Sequence, residues 1–159
     1  MALPTYYIAE ASQDDWEDAM ELCWKTFLEF EANEYSKEGV DNFLNFISSN
    51  ELFKMFEIGE YIVHVAKEND TGKIIGVASL RNVHHVSLLF VDKKYHKNGV
   101  GKALLKSLQS DLQDEVRLTV NAAPYAVGFY HRVGFMDTKE EQLTDGIRYT
   151  PMTLVTKIV

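Results

Sequence analysis

Cysteine is nearly absent from this chain of 159 residues: Cys23 stands alone, so no internal disulfide can form. It falls in a helical apolar stripe and reads as a small core residue, with nothing nearby to make its thiol reactive. Cys/His clusters of zinc spacing are missing too, and no metal is expected. Proline is scarce, at 3 residues, and no Pro/Gly/Ser-rich stretch divides the chain, so residues 1–159 read as a single domain. No apolar run approaches the ~20 residues a membrane helix needs. The start, MALPTYYIAEASQDDW, lacks the basic region and apolar run of a secretory signal. The expectation is a cytoplasmic, soluble protein with no membrane partner. Positive charge is also in deficit: 16 Lys and Arg face 24 Asp and Glu, a net charge of −8, which argues against a nucleic-acid partner. A cationic acceptor such as an amine is compatible with that balance, although acidity for solubility explains it equally well.

Against this acidic background five lysines crowd into Lys93–Lys106 with no acid among them. They lie within Val86–Leu108, VSLLFVDKKYHKNGVGKALLKSL, where an apolar strand meets a basic loop. The loop closes on Gly99-Val100-Gly101, and an amphipathic helix follows at once. Two glycines at a strand-to-helix turn let backbone N–H groups converge. The helix adds its free N–H groups and positive dipole end, the makings of a phosphate site. A P-loop would need Ser or Thr after Gly101-Lys102, where Ala103 stands. A dinucleotide fingerprint would need a third glycine at Leu104.

The rest of the chain alternates short periodic segments. Tyr6–Ala9 reads as a strand, and Ser12-x-x-Asp15 as a capping-box start to a helix carrying Trp16, Ala19, Met20, Cys23, Phe27 and Phe30 on one stripe. A second helix carries Val40, Phe43, Leu44 and Ile47. Glu51–Ile58 reads as a loop or short helix at the acceptor pocket, its aromatics mostly core. Tyr61–Ala66, Lys73–Leu80 and His84–Val91 form a meander, and the helix from Gly101 to about Leu112 crosses over to Val116–Asn121, which makes that pair parallel. Phe135–Leu143 and Arg148–Ile158 close the sheet around Thr144-Asp145-Gly146. The fold class is therefore α/β (α+β): a mixed, mostly antiparallel seven-stranded sheet flanked by about four helices.

The loop His96-Lys97-Asn98-Gly99-Val100-Gly101 resembles the acetyl-CoA loop of the GNAT superfamily of N-acetyltransferases, Gln/Arg-x-x-Gly-x-Gly/Ala. Asn121, Pro124-Tyr125-Ala126-Val127-Gly128-Phe129-Tyr130 and Val133-Gly134-Phe135 look like that family's second cofactor segment, and Gly146–Met152 like the last strands of its bacterial-type members. His96 stands where the family has Gln or Arg; an imidazole can hydrogen-bond there but supplies no permanent charge.

The resemblance implies acetyl-CoA as cosubstrate, splayed parallel central strands, and a bulge within Leu88–Val91. It implies that the backbone at Leu89, Phe90 and Val91 holds the pantetheine arm and acetyl carbonyl. His96, Lys97, Asn98, Gly99, Val100, Gly101 and Lys102 would hold the pyrophosphate, Asn121 would hold the pantetheine together with the strand edges, and Phe129 would also bind the cofactor. Tyr130 matches the tyrosine that protonates the departing coenzyme A sulfur, and the N–H of Phe90 or Val91 would face the oxyanion. The base is left open among His84, His85, Ser87, Glu57 and Glu60, or a relayed water. His84 and His85 alternate in direction, so at most one faces a central cleft; His64 and His131 read as ordinary strand and helix residues. The implied activity is transfer of acetyl to a primary amine, on a small molecule or a peptide. The other readings are a longer acyl group, a non-catalytic coenzyme A-binding module and an unrelated nucleotide-binding protein. A homodimer through the C-terminal strands is compatible with the pattern.

Overall fold

The computed structural model describes residues 5–112 and 115–159. A strand, β1 (Tyr6–Glu10), leads into α1 (Trp16–Phe30) through a 3₁₀ turn, and the Ser12 N–H donates to Asp15 Oδ2 at 2.8 Å, as the capping-box spacing predicts. Two short helices follow, α2 (Lys37–Ile47) and α3 (Asn50–Glu57). Each starts on a serine, Ser36 or Ser49, whose hydroxyl accepts the N–H of Gly39 or Leu52. Then come β2 (Ile62–Glu68), β3 (Ile74–Arg81), β4 (His85–Val91), α4 (Val100–Ser110), β5 (Leu118–Ala122) and α5 (Val127–Val133). The chain closes with β6 (Met136–Asp137), β7 (Gln142–Thr144) and β8 (Ile147–Leu154).

The described strands form one sheet in the order β1-β2-β3-β4-β5-β8-β6, with β7 also on β8. All pairs are antiparallel except β4–β5. The eighth strand arises where one was expected over Phe135–Leu143. The charged run Lys139-Glu140-Glu141 interrupts it, leaving β6 and β7 as separate partners of β8. The Glu51–Ile58 segment resolves into α3, which raises the α-helix count from the expected four to five.

Apolar side chains bury on both faces of the sheet. One face packs Trp16, Ala19, Met20, Cys23 and Phe27 of α1 with Leu52 of α3 onto Val63, Val65, Val77, Leu88 and Phe90. Aromatic contacts bind that layer, with Phe27 and Phe43 centroids 4.2 Å apart and Trp16 4.9 Å from Phe56. The other face packs Val100, Leu104, Leu105 and Leu108 of α4 and Tyr130 of α5 onto Ile75, Leu80, Val86, Leu118 and Val120. Each large side chain so buried contributes roughly 1.5–3 kcal/mol of transfer free energy.

Two local features position the site. Parallel pairing of β4 with β5 lasts for only two partners, His85↔Thr119 and Val86↔Val120, and then the strands part. On its other edge β4 pairs Leu88 with Ser79 and Val86 with Leu80, which leaves Ser87 as an extra residue in a bulge. The bulge lies one residue before the expected Leu88–Val91. It reverses the facing: Val86 and Leu89 lie on the α4 side, Leu88 and Phe90 on the α1 side.

Candidate active site

Where β4 and β5 part, a cavity of about 570 Å³ opens, a size ordinary for ligand sites. Its walls come from β4 (Leu89, Phe90, Val91), the loop and first turn of α4 (Tyr95, His96, Lys97, Gly99, Gly101, Lys102), the end of α1 (Thr26, Phe30, Glu31) and the segment from Tyr125 to Arg132. The Asp92 N–H donates to the Ile75 carbonyl of β3 at 2.8 Å. Peptide groups alternate along a strand, so those of Phe90 turn toward β3 and those of Leu89 and Val91 turn into the splay. Leu89 and Val91, and not Phe90, therefore offer backbone donors there.

The loop beyond β4 is shaped by its backbone. Lys97 (φ +66°) and Gly99 (φ +76°) are both left-handed, and Gly99 is the N-cap of α4. Successive N–H groups in such a turn, capped by a helix N-terminus, form an anion cradle. Gly101 serves packing instead: a Cβ there would lie 3.1 Å from the Phe129 ring. His96 Nε2 donates to the Val91 carbonyl at 2.8 Å, and its ring lies 4.9 Å from that of Phe30.

Two side chains on the cavity wall have strongly shifted ionisation. Burial pushes the Tyr130 hydroxyl well above the ordinary phenol range, with Glu31 adding to the shift, and the residue is 4% exposed. Among the described residues that hydroxyl has no hydrogen-bond partner and is free to meet a ligand. Burial raises the Glu31 carboxyl to about 7, and the Glu34 charge acts in the same direction. Glu31 is the C-cap of α1, its N–H donating to the Phe27 carbonyl at 2.9 Å. The segment after it is anchored from far along the chain: Ser36 N–H donates to the Gly146 carbonyl at 3.2 Å and Asn42 Nδ2 to the Asp145 carbonyl at 3.2 Å. The sequence reading missed Glu31. Its one local signal was a carboxylate directly after the last aromatic of the α1 stripe.

Other expected site residues lie elsewhere. His84 Nε2 sits 2.8 Å from the Arg117 guanidinium, His85 Nδ1 2.8 Å from Thr119 Oγ1, and Ser87 accepts from the Tyr61 hydroxyl at 3.0 Å. These three side chains are committed to the hairpin end of β4 and do not line the cavity. Glu57, 3.4 Å from Gln13 Nε2, and Glu60 do not line it either, nor does α3, whose Leu52, Phe53 and Phe56 pack in the α1 layer. Asn121 is exposed on β5 opposite Pro151, Asn98 bonds the His96 carbonyl at 3.0 Å, and Val100 is buried under the sheet; none of the three lines the cavity. His64 is not an ordinary strand residue: it is 2% exposed, 2.6 Å from Ser107 Oγ and 2.8 Å from Asp111 Oδ2, and it ties β2 to α4. Glu10 joins His64 and Asp111 in the one such group of three ligand-capable side chains among the described residues, away from the cavity.

The strand splay ends on an anion cradle, with a phenol and a carboxylate on the same wall. Residues 31–156 match the family model of the acetyltransferase (GNAT) domain, and the chain belongs to this family. It is 40% identical over 60 residues to the uncharacterized N-acetyltransferase YafP of Escherichia coli, a match spanning 38% of this chain and 38% of that relative's length. A GCN5-related N-acetyltransferase from Rhodopseudomonas palustris superposes with a TM-score of 0.81 at 20% identity, over 98% of this chain and 99% of its own. The PaiA N-acetyltransferase from Thermoplasma acidophilum, solved in complex with coenzyme A, gives a TM-score of 0.75 at 19% identity over 96% and 100%. At these identities the two structures share the fold. No helix among the described residues is long and apolar enough to cross a membrane.

Proposed function

We propose that residues 1–159 act as one acetyl-CoA-dependent N-acetyltransferase domain for a primary amine. The observation that carries this reading is the opening of β4 from β5 onto the Gly99–Gly101 cradle, with the Tyr130 hydroxyl on the same wall. The residues present fit acetyl-CoA. The free edge of β4 at Leu89 and Val91 suits the amide groups of a pantetheine arm, and the α4 N-terminus with Lys97 and Lys102 suits its phosphates. Acetyl-CoA supplies an acetyl group activated as a thioester.

The protein supplies the rest. Glu31, ionised in half its copies near pH 7, takes a proton from the acceptor ammonium and frees the nitrogen lone pair. The N–H of Leu89, the donor farther from the anion loop, serves the carbonyl oxygen as it gains charge, and that of Val91 is left to the pantetheine arm. Tyr130 keeps its proton at neutral pH and gives it to the departing sulfur. The balance is one C–N bond formed and one C–S bond broken: Glu31 gains the first proton of the ammonium, Tyr130 gives its proton to the sulfur, and the second proton that the nitrogen sheds on becoming an amide restores the Tyr130 phenol. Calorimetric titration with acetyl-CoA, with ATP as control, tests the cosubstrate; release of free thiol in the presence of amines tests the transfer. Saturable binding near one per chain followed by thiol release supports the reading. Binding with no release from any amine would instead favour a coenzyme A-binding module.

A further inference from the structure

The charge around the cavity is strongly divided. Its cationic side chains, Lys97, Lys102 and Arg132, belong to the α4 loop, α4 and α5, whereas the α1 wall carries one carboxylate, Glu31, and no cation. That wall is negative for a second reason. The last turn of α1 contains no basic residue, so its free carbonyls and the negative end of the helix dipole go uncompensated beside Glu31. Lys25, the basic residue of α1, is directed to Asp92 at 3.7 Å. The remaining surface here is aromatic: the Phe30 ring stacks 5.2 Å from Tyr125 at an interplanar angle of 24°, and Tyr125 is 50% exposed. Half-open aromatic faces next to a carboxylate and a helix C-terminus favour a cation on an apolar body. A carboxylate beside the acceptor nitrogen would meet like charge, with no cation on this wall to pair it.

We infer that the acceptor is an amine on an apolar body carrying no carboxylate next to its nitrogen, held with its ammonium toward Glu31 and its apolar part against Phe30 and Tyr125. This rests on the acetyltransferase reading and narrows it. Free α-amino acids are thereby disfavoured as acceptors, by charge and not by size.

The test is thiol release from acetyl-CoA with matched pairs that differ only in the carboxylate, such as phenethylamine against phenylalanine and isobutylamine against valine. The expected result is kcat/KM at least tenfold higher for the amine of each pair. In Tyr125→Ala and Phe30→Ala the KM for phenethylamine should rise about tenfold, and by more than any rise in the KM for acetyl-CoA. Equal or better turnover of the amino acids overturns this inference and leaves the acetyltransferase reading standing, as does an unchanged phenethylamine KM in both variants. Acetyl-CoA binding without thiol release from any amine overturns both, and so does absence of acetyl-CoA binding.

Discussion

His96 Nε2 donates to the carbonyl of Val91 across 2.8 Å, which ties the anion-binding loop to the free edge of β4. The position filled by Gln or Arg in the sequence pattern thus holds the loop here by a neutral hydrogen bond. Removing it in His96→Ala should weaken acetyl-CoA binding about tenfold, as expected for the loss of one hydrogen bond worth ~1 kcal/mol with some loosening of the loop. His96→Gln, which can donate to the same carbonyl, should stay within about threefold. Calorimetry on the two variants checks this; equal losses would mean that the ring's packing on Phe30, and not the hydrogen bond, matters.

Tyr130→Phe deletes one oxygen from a wall where it has no protein partner. The fold should be unaffected or slightly firmer, since no hydrogen bond is broken. Acetyl-CoA affinity should stay within twofold while kcat falls roughly 10²-fold, the usual scale for a lost general acid. Wild-type kcat in the variant would remove Tyr130 from the chemistry.

Glu31 sets the pH dependence. Its carboxyl titrates at about 7, so kcat/KM should rise through neutral pH and level off above it, and Glu31→Gln should be slow with that limb missing. Stability should run the other way. The folded-state value lies above the ordinary 4.5, so the native protein holds the extra proton between those values and loses stability as pH rises from 4.5 through 7. Glu31→Gln should match wild type near pH 4.5 and exceed it at pH 8, by on the order of 2 kcal/mol. Thermal unfolding at the two pH values measures the difference.

The turn between β3 and β4 carries Asn82 (φ +53°) and Val83 (φ +76°), the latter 73% exposed. A left-handed β-branched residue costs about 1–2 kcal/mol, and glycine is preferred at such hairpin positions. Val83→Gly should raise the melting temperature by about 2–4 °C, with turnover unchanged, because the turn lies outside the cavity. A lower melting temperature would show that Val83 makes a contact worth more than the strain.

The anion loop and Tyr130 were legible because a few neighbouring residues carry each. Gly99, Gly101 and the lysines announce a cradle, and Gly128-Phe129-Tyr130 with Gly134-Phe135 announce a helix and its stop. The meander was legible for the same reason, since each of its strands is a short apolar run of neighbouring residues. Glu31 was not, since its shifted ionisation comes from burial beside groups about a hundred positions away; at its own place it looks like one more acid in FLEFEANE. The histidines failed in the opposite sense. Their chemistry attracted attention, but Arg117, just before β5, and Thr119, within it, claim them. The bulge at Ser87 was hidden because the residues around it, apart from Ser87 itself, are apolar and fit either face.

That extra residue has a consequence for how the chain tolerates change in length. Deleting Ser87 would restore unbroken pairing of β4 with β3, a local gain in regularity. The flanking side chains would keep their faces, because Val86 toward α4, Leu88 toward α1, Leu89 toward α4 and Phe90 toward α1 is the alternation of a regular strand. Substitutions along β4 cost what their own contacts are worth. A single-codon deletion beyond the bulge would instead send each following β4 side chain to the opposite face, so Ser87 is the place in this strand where a residue can be lost without exchanging the contents of the two cores.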